Sequence, residues 1–192
     1  SNQIAGFDAR LNLNRWTGVP ISLYGQYVGE DEAGLLPSKK MYLAGVDYSS
    51  QFNNMPFQLY TEWADTRTNR DVLGISYEHR NYKDGYYQHG FPLGHTIGGD
   101  GQMLSLGGDI RFDPMNRLNG RVLVAKVNQS NLSINHAFAQ KDEIKALDLT
   151  WTHYLKPNAP LKLNGWVRDS DVYGQDAGVS IGGEIPLDRS LF

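Results

Sequence analysis

Cysteine is absent from all 192 residues, so no disulfide staples this fold. That absence fits a reducing compartment and equally those exported proteins that do without disulfides, so it is only permissive. Long apolar runs are missing as well, and no segment can cross a bilayer as a helix. Basic charge is not in excess: 18 Lys and Arg stand against 21 Asp and Glu, a net charge of −3, so bulk electrostatics give nucleic acid no reason to bind. The histidines His79, His89, His95, His136 and His153 show no pair at metal-ligand spacing. A Ser nucleophile motif is also lacking. Ser1 does not open a leader pattern, so the chain reads as mature or as a fragment. A mean hydropathy of −0.47 excludes a helical membrane protein but leaves open a barrel, in which only half of each strand meets lipid.

What is present is alternation. In Leu104 to Phe112, Leu104, Leu106, Ile110 and Phe112 share one face of an extended chain, and Ser105, Gly107, Asp109 and Arg111 share the other. The pattern recurs, and about eleven strands can be read: 3–13, 20–29, 41–50, 57–65, 72–80, 86–93, 104–112, 119–128, 143–155, 161–169 and 178–187. The sixth is the weakest pattern because it contains Pro92. The facing of 119–128 is ambiguous. The 21 glycines and 11 tyrosines suit tight turns and aromatic girdles, with Tyr27, Tyr42 and Trp63 placed near one end. The fold class expected is therefore all-β, an antiparallel transmembrane β-barrel of the outer-membrane type. A soluble β-sandwich is the rival; its apolar faces would have to meet each other instead of lipid.

Connections alternate between short turns, near 16, 54, 83, 115 and 158, and polar stretches at 30–40, 66–71, 94–101, 129–142 and 169–177. In barrels of this type the longer loops are external and the short turns periplasmic. A complete bacterial barrel has an even strand count. An odd count therefore predicts at least one strand before Ser1, making residues 1–192 a single barrel region, the C-terminal part of a larger barrel. Phe192 fits the aromatic ending usual for such barrels, although Pro186 to Ser190 breaks the alternation before it.

The inward face carries both signs: Asp8, Arg10, Asp47, Glu62, Glu78, Asp109, Arg111, Asp148, Lys162 and Arg168. Such residues make a lumen polar, whether open or plugged. The run Glu30-Asp31-Glu32 offers carboxylate oxygens for Ca²⁺ but lacks EF-hand spacing, and a solvated loop is the plain reading. Asp169-x-Asp171 is too little for a hydrolase. No metal and no cofactor are expected.

Glu30-Asp31-Glu32 with the following Gly34 and Pro37-Ser38, Tyr77-Glu78-His79-Arg80, Asp84-Gly85-Tyr86-Tyr87, Pro92-Leu93-Gly94-His95 and Gly99-Asp100-Gly101 together resemble the capsule assembly protein Wzi family. The resemblance covers about 1–112 well and the rest by pattern. It implies an outer-membrane barrel of about eighteen strands, within the known range. A helical element would occlude the lumen, and the protein would act as a non-enzymatic lectin attaching exported capsular polysaccharide to the cell surface. The segment missing from this chain would supply the plug and the earlier strands.

The expected function is thus attachment of capsular or extracellular polysaccharide at the outer membrane of a bacterium. Many weak hydrogen-bonding and stacking contacts along the polymer would add through effective concentration. A passive saccharide or solute channel is the alternative, and a surface hydrolase a more distant one. Loop position selects Glu30, Asp31, Glu32, Lys39, Lys40, Arg67, Arg70, His95, Asp100 and Tyr173 as contact residues. The other expected partners are outer-membrane lipid and lipopolysaccharide, around a monomeric barrel.

Overall fold

The computed structural model describes residues 4–33, 36–68, 74, 76–78 and 84–184, with the backbone alone described at 4, 30–33 and 36–38. The strands are β1 (Ile4–Asn12), β2 (Ile21–Ala33), β3 (Leu36–Phe52), β4 (Met55–Asp65), β5 (Tyr87–Gln88), β6 (Phe91–Pro92), β7 (Gln102–Asp113), β8 (Asn116–Val127), β9 (Asp142–Lys156), β10 (Ala159–Ser170) and β11 (Gly174–Gly183). Nine of them form one antiparallel meander in the order β1-β2-β3-β4-β7-β8-β9-β10-β11; β5 and β6 form a separate two-stranded hairpin. Among the described residues β1 and β11 each pair on one side only, so the sheet is a partial barrel.

Two faces follow from strand pleating. Leu11, Leu23, Leu59, Leu104, Leu106, Val122, Leu147, Val167 and Val179 stand exposed on one face. This matches the expected lipid face, and it settles 119–128, with Val122 and Val124 outward and Leu123 and Ala125 inward. Tyr27 and Tyr42 touch at 5.6 Å near one end of this face, and Tyr48 and Phe57 at 5.9 Å near the other, as aromatic girdles require. On the inward face Arg10 pairs with Asp47 and the Tyr24 hydroxyl donates to Glu62. Further along, Arg117 pairs with Asp109, Arg168 with Asp176 and Lys162 with Glu184. Bulky inward rings lie against glycines on the next strand. A Cβ at Gly45 would meet the Tyr24 ring, one at Gly107 the Tyr60 ring, and one at Gly178 the Trp166 ring.

Four connections gather at one end, the turn end: 13–20, which contains the short helix α1 (Asn14–Thr17), then 53–54, 114–115 and 157–158. Asn53 and Asn54 both have positive φ, the conformation of a two-residue hairpin turn. The opposite loop end is where β2 passes to β3, and it holds the described residues of 66–101 together with 128–141 and 171–173.

Two of the eleven expected strands are not in the sheet. Residues 86–93 make only the β5–β6 hairpin, because Pro92 and the positive φ of His89 and Gly90 fold the segment back on itself. The expected strand 72–80 lies partly outside the described residues; within it Gly74 and Tyr77 have positive φ, which no regular strand contains. β4 therefore pairs directly with β7, the turn expected near 83 lies outside the described residues, and 66–68 and 94–101 are parts of one insertion. The polar stretches 30–40 and 169–177 are also mostly strand. The β2–β3 hairpin runs on to Ala33 and Leu36, and only 171–173 separate β10 from β11. At 13 and 17 residues, β2 and β3 exceed the span of a bilayer. Polarity there marks where lipid ends, while pairing continues. The expected end at 185–192 lies outside the described residues.

Candidate functional site

The described residues of the insertion 66–101 fold back over the inward face at the loop end. Inward-pointing Ala64, Met103 and Ala125 form a buried cluster with Ile97 of the insertion and Val127, and Leu123, Phe138 and Ile144 pack against it. A second cluster joins Met41 and Val28 to Tyr77 and Tyr87. Both explain why these inward positions are apolar: they are covered by loop, while inward positions nearer the turn end stay polar.

Polar groups lock this cap. The Thr66 backbone N–H donates to the Gly101 carbonyl at 2.8 Å, and its hydroxyl donates to the Gly98 carbonyl at 2.7 Å. The Ser76 hydroxyl donates to the Thr66 carbonyl and accepts the Asp100 N–H at 3.0 Å. The Tyr87 hydroxyl accepts the Gly99 N–H at 2.9 Å, and that of Tyr77 the His95 N–H at 2.7 Å. A Cβ on Gly99 would strike the Ser76 carbonyl, so only glycine fits. Loop 128–141 is stitched to the same body. Asn135 donates to the Gly99 carbonyl at 3.0 Å, and Asn128, fully buried, donates to the carbonyls of Leu132 and Phe138. Tyr77, Tyr86, Tyr87 and His136 make a chain of ring contacts at 5.5–5.7 Å. Burial raises the hydroxyl pKa of Tyr77 and pushes that of Tyr87 up to about 12. Burial also raises Glu78, against the opposing pull of His136 at 3.8 Å.

Beside the cap lies a notch of about 190 Å³, lined by loop residues 137–140 and by Asp142, Ile144, Arg168, Ser170 and Tyr173. Buried Asp142 accepts the Ser170 hydroxyl at 2.6 Å and the Val172 N–H at 3.3 Å. Ser170 in turn accepts the Tyr173 N–H at 2.9 Å. This fastens the 171–173 turn and presents Tyr173, which is 69% exposed.

The expected contact residues fall into distinct settings. Tyr173 stands at the notch. Lys39 and Lys40 are half-buried on β3, and the backbones of Glu30, Asp31 and Glu32 belong to β2, with Glu30 opposite Lys39 and Glu32 opposite Pro37; all five are in a paired hairpin, not the expected loop. Arg67 is forked onto Asp65, with its closest contact at 2.6 Å. His95 is half-buried in the cap, and its Nδ1 accepts the Ile97 N–H at 3.3 Å. Asp100 corrects the expectation: it is 1% exposed and accepts the Ser130 N–H at 2.6 Å, so it ties the two loops together and offers no surface to a polymer. Arg70 lies outside the described residues. Asp169 sits opposite Lys145 in the β9–β10 register, and the Asp171 N–H donates to the Glu143 carbonyl. Phe138, Gln140, Asp142 and Ser170 are site residues that sequence reasoning missed; alternation says nothing about which loop folds against which strand end. Arg168 was legible only as an inward charge.

A strand meander with one apolar outer face, two aromatic girdles and loops folded into one mouth defines part of an outer-membrane β-barrel. The family model described as capsule assembly protein Wzi matches residues 1–180, and the chain belongs to that family. It is 41% identical over 189 residues to an uncharacterized 55.8 kDa protein in the cps region of Klebsiella pneumoniae, matching 97% of this chain and 37% of that protein. Among solved structures it resembles Escherichia coli Wzi, an outer membrane protein involved in group 1 capsule assembly and a carbohydrate-binding β-barrel. There the TM-score is 0.88 at 40% identity, over 97% of this chain and 42% of the other. The chain thus spans about two-fifths of the length of these relatives, and its place is the outer membrane.

Proposed function

We propose that this chain forms the part of an outer-membrane barrel that binds capsular or extracellular polysaccharide at the external face and so helps attach it to the cell, without catalysis. The observation that carries the reading is the loop end. There two long loops and one short turn converge into a hydrogen-bonded mouth that offers aromatic rings and planar polar groups together. Aromatic faces stack on the apolar faces of sugars, and amide, carboxylate and guanidinium groups bond hydroxyls. Each contact is weak, and a polymer multiplies them by effective concentration. Orientation follows from loop length, with the longer connections outside. The E. coli relative is a carbohydrate-binding barrel of capsule assembly, which supports the same reading here.

Glu30, Asp31, Glu32, Lys39, Lys40, Arg67, Arg70, His95 and Tyr173 remain the proposed contacts, and Asp100 takes a positioning role. Around the barrel, lipid meets the apolar face, and Lys126, Glu143 and Lys145 stand where headgroups and lipopolysaccharide phosphates begin; the barrel acts as a monomer. The test is binding of the host's own surface polysaccharide to the protein purified from outer membranes in detergent, alongside single-channel conductance in a planar bilayer. Saturable binding without conductance is expected. Conductance without binding would contradict the proposal and favour a channel.

A further inference from the structure

We infer that the notch beside Tyr173 is a subsite for one neutral pyranose unit of the polymer and that it disfavours a uronic acid. This rests on the reading of the loop end as a polysaccharide-binding face.

Size comes first. About 190 Å³ is smaller than the usual pocket for a drug-sized ligand, about 300–1,000 Å³, so the notch takes a single sugar ring and not a run of them. Shape and polarity come second. Tyr173 presents an exposed ring from a turn pinned by Ser170 and Asp142, a platform that is rigid before binding and so loses little entropy. Phe138 and Ile144 supply an apolar lining, and both also pack on the buried cluster beneath the cap. Gln140 and Arg168 line the same space with donors suited to hydroxyl groups.

Charge decides the sugar class. Asp142 and Arg168 line the notch and Asp176 pairs with Arg168 at 3.2 Å, while Lys141 and Asp171, next in the chain to lining residues, carry opposite charges that offset each other. One guanidinium against two carboxylates leaves a local charge of about −1. A uronate would meet like charge and would have to displace Asp176 from Arg168. A neutral ring only exchanges water for hydroxyl contacts.

The experiment uses the protein purified from outer membranes, with methyl β-glucoside, methyl β-galactoside, methyl α-mannoside and methyl β-glucuronide as probes in ligand-observed NMR. At least one neutral glycoside is expected to bind, and more tightly than the glucuronide by about fivefold or more. Tyr173→Ala should abolish binding of every probe. Asp176→Asn, which removes one carboxylate from β11 outside the 171–173 turn, should raise glucuronide affinity by about fivefold and leave the neutral probe within about twofold. Tighter binding of glucuronide than of any neutral glycoside, or unchanged binding in Tyr173→Ala, would overturn the inference. Binding of the host polysaccharide with no glycoside bound at all would overturn the notch alone and leave the proposed function standing. Loss of all polysaccharide binding in the wild-type protein would remove both.

Discussion

Asp100 shows how one side chain holds two loops. Its φ of 59° puts it in the left-handed region, tolerated by aspartate better than by most residues. Its carboxylate reaches Ser130 while its own N–H is taken by Ser76 and Thr66. Asp100→Ala would remove the carboxylate that the half-buried Ser130 N–H pairs with, a cost of about 1 kcal/mol; limited proteolysis should then cut the two loops faster while strand cores stay protected. His95 makes the cap sensitive to pH. Burial holds its pKa below the ordinary 6.5, with Glu62 pulling weakly the other way. The folded cap prefers neutral imidazole, whose Nδ1 accepts from Ile97, whereas the opened cap takes a proton near pH 6.5. The stabilising effect is therefore complete above pH 6.5 and is lost as pH falls from there towards the folded pKa. Hydrogen exchange at Ile97 to Gly101, corrected for intrinsic rates, should speed up between pH 7.5 and 5.5 in the wild type; no such dependence should appear in His95→Gln.

Strands obey a simpler rule, that the outer face meets lipid and the inner face does not. Leu106 lies opposite Thr61 and Val122 in the middle of the apolar band. Leu106→Arg should cost about 2–4 kcal/mol in a bilayer, read by urea unfolding from vesicles. Its neighbour Gly107 faces inward, where any Cβ meets the Tyr60 ring. Gly107→Val should cost about 1–3 kcal/mol through overpacking, and a paired Tyr60→Ala substitution should recover part of it. This inward–outward code is why most of the barrel wall was legible: alternation in Leu104 to Phe112 states both the strand and its facing. The cap was not legible for the same reason. Tyr77-Glu78 and Tyr86 to Leu93 also alternate, but Tyr77 and Tyr87 are buried against Met41 and Val28, not lipid, while Tyr86, Phe91 and Leu93 stay exposed on the cap. Period alone cannot tell the two kinds of burial apart; the positive φ at Tyr77 and His89 decides it, and nothing in those residue types announces it. The overlong β2–β3 hairpin was misread because charge was taken as the end of pairing.

Across the molecule the two ends differ in kind. Three of the four connections at the turn end are two-residue hairpins, with Asn53-Asn54 in positive φ and the Asp113 carboxylate accepting the Met115 N–H at 2.7 Å, and the fourth, 13–20, holds only the short helix α1. The loop end carries the two long connections 66–101 and 128–141, whose described residues cover the inward face. That asymmetry carries the proposal of a binding face at the loop end, and among the described residues Tyr173 is the expected contact that the fold leaves both well exposed and on a pinned turn. The most direct test is hydroxyl-radical footprinting of the protein with and without the host polysaccharide. Protection should appear at 136–141 and 170–174 and be absent from the turns at 53–54, 114–115 and 157–158. Saturable binding that protects only those turns, or that leaves 136–141 and 170–174 as reactive as before, would contradict the account.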